Sequence, residues 1–226
     1  MDSHLNPWLH VPSEPPYLLP CDSQIISSYN AGHPNENYQV QNKVLPEPFI
    51  GKTTAPVVLL SLNPGFDDGN IAEHARAGFQ LLIRNNYRQE WAAFPFYYLD
   101  PGFESRGRQW WEKKLKPLLN MFERNCLAKS ILLMEYFPCH SRRFRHASLK
   151  LPSQEYGFSL VHSAIGRKAV VVIMRAKKQW QERIPELKAY TRSFTLKNPQ
   201  NPAVSPGNCP GGGFDLIVSA IRDGDC

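Results

Sequence analysis

The chain has few cysteines, and those it has do not form recognisable pairs. The five are Cys21, Cys126, Cys139, Cys209 and Cys226, with no Cys-x-x-Cys spacing. An odd and scattered set of this kind argues against a disulfide scaffold and against a zinc knuckle. From the cysteines we therefore expect no metal site.

Long apolar runs are missing as well. No run approaches the roughly 20 residues that a transmembrane helix needs, and the proline-rich N-terminus lacks the basic and apolar regions of a secretory signal. We therefore expect a soluble, cytoplasmic protein that does not bind membranes. With 226 residues, of which 42% are hydrophobic, the chain suits one core better than two.

The charge balance is modestly basic. Lys and Arg outnumber Asp and Glu by 26 to 20, which gives a net charge of +6. Such an excess favours an anionic partner such as nucleic acid, although it is also common in proteins that bind nothing anionic.

Hydrophobic patterning predicts an α/β fold. Residues 1–43 are rich in Pro and Asn and read as an N-terminal arm packed on the core, and residues 44–226 read as one domain. Buried strands are predicted at 57–62, 130–136, 168–174 and 194–197, and helices at 22–29, 71–85, 110–126, 153–166, 177–187 and 214–221. This alternation predicts a central, mainly parallel four-stranded sheet in a three-layer α/β/α sandwich.

Polar segments follow each predicted strand. They are Asn63-Pro64-Gly65, Glu135-Tyr136-Phe137-Pro138, Arg175 and the segment from Asn198 to Ser205. In a parallel sheet these ends share one edge, where ligands of open α/β sheets bind. The plainer alternative for the first segment is a core strand followed by a Pro-Gly turn.

The first and last of these loops resemble the two signature loops of the uracil-DNA glycosylase superfamily. The similarity is to the mismatch-specific and single-strand-selective branches, whose first motif reads Gly-x-Asn-Pro-Gly, and here Ser61 replaces the leading glycine. The resemblance spans roughly residues 44–222. It implies a monomeric hydrolase of base-excision repair that flips a deaminated or modified base out of single- or double-stranded DNA and cleaves its N-glycosidic bond without metal or organic cofactor.

The resemblance also implies roles for the first loop. Asn63 takes the place of the residue that orients the attacking water, and its amide could hold that water only through the carbonyl oxygen. Phe66 is the preferred stacking face for the base, because the alternative, Phe79, lies on the apolar face of a predicted helix.

In the last loop the alignment stays open because Asn-Pro occurs twice. Either Asn198 or Asn201 could stabilise the leaving base as it becomes an anion. Ser205, Gly207 and Asn208 would then contact DNA phosphate, or else form a plain Gly/Pro-rich surface loop.

Glu135 departs from the family pattern, because uracil-excising relatives usually carry an asparagine near the end of this strand. Glu135 and Tyr136 are candidate base-binding residues. At the base edge a Glu135 carboxylate would accept from N–H but repel a carbonyl oxygen unless its pKa is raised. It could instead be a general base, or pair with Arg142, Arg143 or Arg175.

The remaining candidates have plainer alternatives. Arg142, Arg143 and Arg145 could grip DNA or could lie in a solvated loop. His74, His140 and His162 are expected on the surface or as hydrogen-bonded core residues, and Cys139-His140 with His146 lacks zinc-ligand spacing. Two other functions remain open: a catalytically inactive nucleic-acid-binding module with the same fold, and an enzyme acting on free nucleosides or nucleotides.

Overall fold

The computed structural model describes residues 5–91 and 93–224. At its centre is a five-stranded sheet with the order β1-β3-β2-β4-β5, in which β1 is antiparallel to β3 and the other pairs are parallel. The strands are β1 (Phe49–Ile50), β2 (Val57–Ser61), β3 (Ile131–Glu135), β4 (Val170–Ile173) and β5 (Ser193–Thr195). The mainly parallel sheet is confirmed. The prediction of four strands is wrong, because β1 has two residues and is too short to leave a periodic pattern.

Helices pack against the sheet in the predicted three-layer α/β/α arrangement. They are α1 (Pro20–Ala31), α2 (Asp68–His74), α3 (Ala77–Arg88), α4 (Arg106–Leu119), α5 (Arg124–Ser130), α6 (Gln154–Gly166), α7 (Lys177–Arg183) and α8 (Gly213–Arg222). Among the described residues, no helix is both long enough and apolar enough to cross a bilayer.

Two of the predicted helices are each a pair of shorter ones. The segment 71–85 divides into α2 and α3 because Arg76, between them, has an extended backbone (φ −72°, ψ 122°). The segment 110–126 divides into α4 and α5 at Glu123, which is also extended (φ −58°, ψ 145°). α2 begins earlier than predicted because Asp67 and Asn70 form a capping box around its first turn.

The core forms around the three central strands. Every residue of β2, β3 and β4 is buried, as expected for apolar strands that are covered on both faces of a parallel sheet. The N-terminal segment contributes to the same core through Trp8, Tyr17 and Leu19. A smaller cluster gathers Ile26 and Val40 against Phe137, beyond the end of β3.

The register of the sheet determines which residues meet at its carboxyl edge. Ser61, the last residue of β2, is paired with Glu135, the last residue of β3. β4 ends two residues before Arg175 on the other side of β2. Polar side chains at or just after the ends of three strands therefore lie at one edge of the sheet.

Candidate active site

A cavity of about 310 Å³ opens at this carboxyl edge. Ser61, Asn63, Phe66, Glu135 and Arg175 are among the residues that line it. Its volume is at the lower end of small-molecule sites, so it suits a ligand the size of a nucleobase.

Asn63 is held by two hydrogen bonds of its amide nitrogen. Nδ2 donates to the carbonyl oxygen of Pro64 and to Oγ of Ser141, both at 2.9 Å. Because both amide protons are used, the carbonyl oxygen Oδ1 is the atom that can accept a hydrogen bond from a ligand or a water in the cavity.

Phe66 also lines the cavity, and its loop is fixed by charged contacts. The Arg142 guanidinium carbon lies 5.2 Å from the centroid of the Phe66 ring, and the same guanidinium pairs with Asp68. Arg106, another lining residue, pairs with Asp67. With Arg142 on one face of the ring, a planar ligand could stack on the other.

Glu135 is buried, and its Oε2 has no hydrogen-bond partner among the described residues. Burial, and to a smaller extent the nearby Glu47, raises the pKa of the Glu135 carboxyl from 4.5 to about 8, although a hydrogen bond from Ser61 and the charge of Arg175 act in the opposite direction. Within the described residues no ion pair joins Glu135 to Arg142, Arg143 or Arg175. At neutral pH the carboxyl is therefore mostly protonated, and it can donate one hydrogen bond as well as accept.

Three residues predicted to bind the base or stabilise it as it leaves are not brought to the cavity. Tyr136 packs against Trp180, with ring centroids 5.2 Å apart. The Asn198 side chain accepts from the backbone amides of Gln200 and Asn201, and the Asn201 side chain accepts from Lys114 Nζ at 2.5 Å. The Asn198 side chain therefore holds its own loop, as is expected of Asn in turns, and the Asn201 side chain joins the loop to α4.

Arg175 connects that loop to the cavity. It lines the cavity and donates to the carbonyl oxygens of Pro199 and Gln200 at 3.1 and 3.4 Å. The positive charge beside the cavity is thus held by the backbone of the loop in which the anion-stabilising asparagine was expected.

The predicted DNA-contacting residues lie outside the cavity. In the turn that contains Ser205 and Gly207, the side chain of Asn208 donates to the Ala203 carbonyl at 2.8 Å and accepts from the Asn198 amide at 2.7 Å. Arg143 and Arg145 are exposed, and the Arg145 guanidinium lies 4.2 Å from the centroid of the Tyr38 ring.

Phe79 and His74 are both buried in the core. Phe79 is fully buried and stacks on Phe103 at 4.9 Å, away from the cavity. The expectation of a surface or hydrogen-bonded His74 is wrong, because His74 is buried and neither ring nitrogen has a hydrogen-bond partner among the described residues. Burial, followed by the neighbouring His140, lowers the pKa of His74 well below its usual 6.5, so its imidazole is neutral.

Sequence reasoning missed Glu47 as a cavity residue. Its buried carboxylate accepts hydrogen bonds from the hydroxyls of Tyr97 and Tyr98, at 2.5 and 2.8 Å, and lies beside His140, another cavity residue. Glu47 precedes a two-residue strand in a segment without periodicity, so no local signal could have identified it.

Comparison with protein-family models, with curated proteins and with solved structures finds no match to this chain.

Proposed function

We propose that the protein is a DNA glycosylase-like hydrolase that holds a flipped, deaminated or modified base in this cavity and hydrolyses its N-glycosidic bond. The observation that carries the proposal is that Asn63, Phe66 and Glu135, from two separate strand ends, line a single cavity of about 310 Å³. A water-positioning amide, a stacking face and a group that reads a base edge are the parts that excision of a flipped base needs.

In this proposal Asn63 orients the water. Oδ1 accepts a hydrogen bond from it and directs it towards the sugar carbon, while the two bonds donated by Nδ2 hold the amide in place. An amide takes up no proton near neutral pH, so Asn63 acts by positioning and we expect slow turnover.

Glu135 takes the role of binding the base as it leaves. In its protonated form the carboxyl donates to a ring nitrogen or carbonyl oxygen on which negative charge develops as the glycosidic bond breaks. This supplies a donor that neither Asn198 nor Asn201 provides, because neither of them lines the cavity.

A protonated Glu135 also widens the choice of base. The proton can reside on either oxygen, so the carboxyl can pair with an N–H next to a carbonyl or with an unprotonated nitrogen next to an amino group. An ionised carboxylate would favour the amino group alone. Protonation of Glu135 therefore keeps uracil-like and hypoxanthine-like bases among the candidate substrates.

The test is cleavage of labelled single- and double-stranded oligonucleotides that carry uracil, hypoxanthine, xanthine, thymine mismatches or methylated bases, followed by alkaline cleavage of abasic sites. We expect Asn63→Ala to lower excision by about 100-fold, in the range of a lost catalytic group. Asn120→Ala, at the exposed C-terminal end of α4, is the matched control and should excise at the wild-type rate. No abasic product from any substrate, or full activity in Asn63→Ala, would refute the proposal.

A free nucleotide is the second candidate substrate, and one observation favours it. Arg175 lines the cavity and has no carboxylate partner among the described residues, whereas Arg142 and Arg145 are engaged outside it with Asp68 and Tyr38. A single positive charge at the cavity suits one phosphate group better than a DNA backbone. Hydrolysis of nucleoside monophosphates that survives the combined replacement of Arg142, Arg143 and Arg145 by Gln would favour this reading. Salt-sensitive DNA binding without any product would favour an inactive binding module.

A further inference from the structure

We propose that Glu47, His74 and His140 form a binding site for one Zn²⁺ ion, with a free coordination position that faces the cavity. The three side chains are buried, and one ligand atom of each lies within 4.8 Å of the others. The inference does not depend on the glycosylase proposal.

The spacing of the ligand atoms fits a tetrahedral ion. Oε2 of Glu47 and Nε2 of His140 are 3.4 Å apart. Two ligands at about 2.1 Å from a tetrahedral zinc are themselves about 3.4 Å apart, so this pair is already at the right separation. A ring rotation of His74 that closes at most about 1.4 Å completes the set.

The outer hydrogen bonds orient Glu47 and His140 for this role. Nδ1 of His140 lies 2.8 Å from the carbonyl oxygen of Gly65, so Nδ1 carries the proton and the lone pair of Nε2 faces Glu47. The Tyr97 and Tyr98 hydroxyls both donate to Oε1 of Glu47, which leaves Oε2 for another partner. Metal-binding histidines and carboxylates are held in this way by partners outside the metal's own ligands.

Without a cation this arrangement leaves polar atoms unsatisfied. Nε2 of His140 faces a carboxylate oxygen but forms no hydrogen bond with any described residue. His74 is 2% exposed, and both of its ring nitrogens lack partners in the described part of the chain. A proton on His140 would provide a hydrogen bond to Glu47 but would leave both ring nitrogens of His74 without a partner. One cation can bind an atom of all three side chains.

The donor set and the spacing of the ligand atoms together favour zinc among common metals. Two imidazoles with one carboxylate are the ligands of catalytic zinc sites and of non-haem Fe(II) sites, while Mg²⁺ and Ca²⁺ prefer sites made entirely of oxygen. The 3.4 Å between Glu47 Oε2 and His140 Nε2 fits tetrahedral zinc better than octahedral iron, whose neighbouring ligands lie about 3.0 Å apart. Glu47 and His140 also line the cavity, so a fourth ligand, water or a bound molecule, would approach from there.

Zinc titration of the full-length, untagged protein after removal of metals with EDTA tests the proposal. Calorimetry near neutral pH should give one Zn²⁺ per chain, together with a rise in melting temperature. His74→Gln and His140→Gln should each weaken binding at least tenfold. The matched control is His146→Gln, because His146 is equally buried and also lacks partners for its ring nitrogens, but it lies among Phe137, Phe144 and Tyr29.

If a variant fails to fold, titration of the wild-type protein with Co²⁺ gives an independent answer, because the intensity of its visible absorption reports four-coordinate geometry. Absence of stoichiometric binding of either metal at micromolar concentration would overturn the proposal. Wild-type affinity in both ligand variants, or equal loss in His146→Gln, would also overturn it. Each readout is independent of catalytic activity, so failure of the metal site and failure of the proposed function can be distinguished.

Discussion

Replacement of Glu135 by glutamine should make the protein more resistant to alkaline pH. The buried carboxyl has a pKa of about 8 in the folded protein, against 4.5 when it is exposed. Between these values the folded state holds a proton that the unfolded state releases, so the contribution of Glu135 to stability is most favourable below pH 4.5 and declines as the pH rises towards 8. Glutamine has nearly the same shape and no proton to lose.

The size of the effect follows from the same two values. At about 1.36 kcal/mol per pH unit, the interval from 4.5 to about 8 corresponds to about 5 kcal/mol, of which about 4 kcal/mol falls between pH 5 and pH 9. This is a large fraction of the 5 to 15 kcal/mol by which an ordinary domain is stable.

Urea denaturation of the wild-type protein and Glu135→Gln at several pH values measures the effect. EDTA is included so that a bound metal ion does not contribute. The difference in unfolding free energy between the two proteins should shift in favour of Glu135→Gln by about 4 kcal/mol from pH 5 to pH 9. Glu14→Gln, which removes an exposed carboxylate, is the control and should run parallel to wild type. Parallel curves for Glu135→Gln would show that the carboxyl is not held protonated.

Two smaller changes test neighbouring contacts. Gly107→Ala places a methyl group 2.2 Å from Cε1 of Tyr98 and should cost about 1 to 3 kcal/mol in urea denaturation, whereas Gly78→Ala, with open space around it, should cost nothing; equal effects would contradict the packing argument. Ser61→Gly removes a hydrogen bond that lowers the pKa of Glu135, so the carboxyl should titrate above the wild-type value of about 8 in an NMR pH titration, and an unchanged midpoint would refute the contact.

The sequence was sufficient to predict the centre of the fold. β2, β3 and β4 are almost entirely apolar because both faces of the sheet are covered. Such continuous apolar runs are readily identified as buried strands. Parallel pairing then brings the residues after these strands to one edge, so the proximity of Asn63 and Glu135 could be predicted without the structure.

Other parts of the site depend on long-range packing that no local pattern reports. Glu47 and His74 are 27 positions apart, in a loop and at the end of a short helix, and they meet at His140 only because the chain folds back. The Asn201 side chain accepts a hydrogen bond from Lys114 on α4 and does not line the cavity. In each case the contacting residues are distant in sequence, so no local sequence motif predicts the contact.

Ser61 and Glu135 form one coupled feature of the sheet. The residues are direct neighbours in the register of β2 and β3, and the serine hydroxyl donates to the glutamate carboxyl. A glycine would offer that carboxyl no donor. The serine hydrogen bond lowers the pKa of Glu135, but burial outweighs it, so the protonated carboxyl presents one donor and one acceptor to the cavity, as an amide would. This donor and acceptor pair is what the proposed function requires of Glu135, because both are needed to bind the edge of a base.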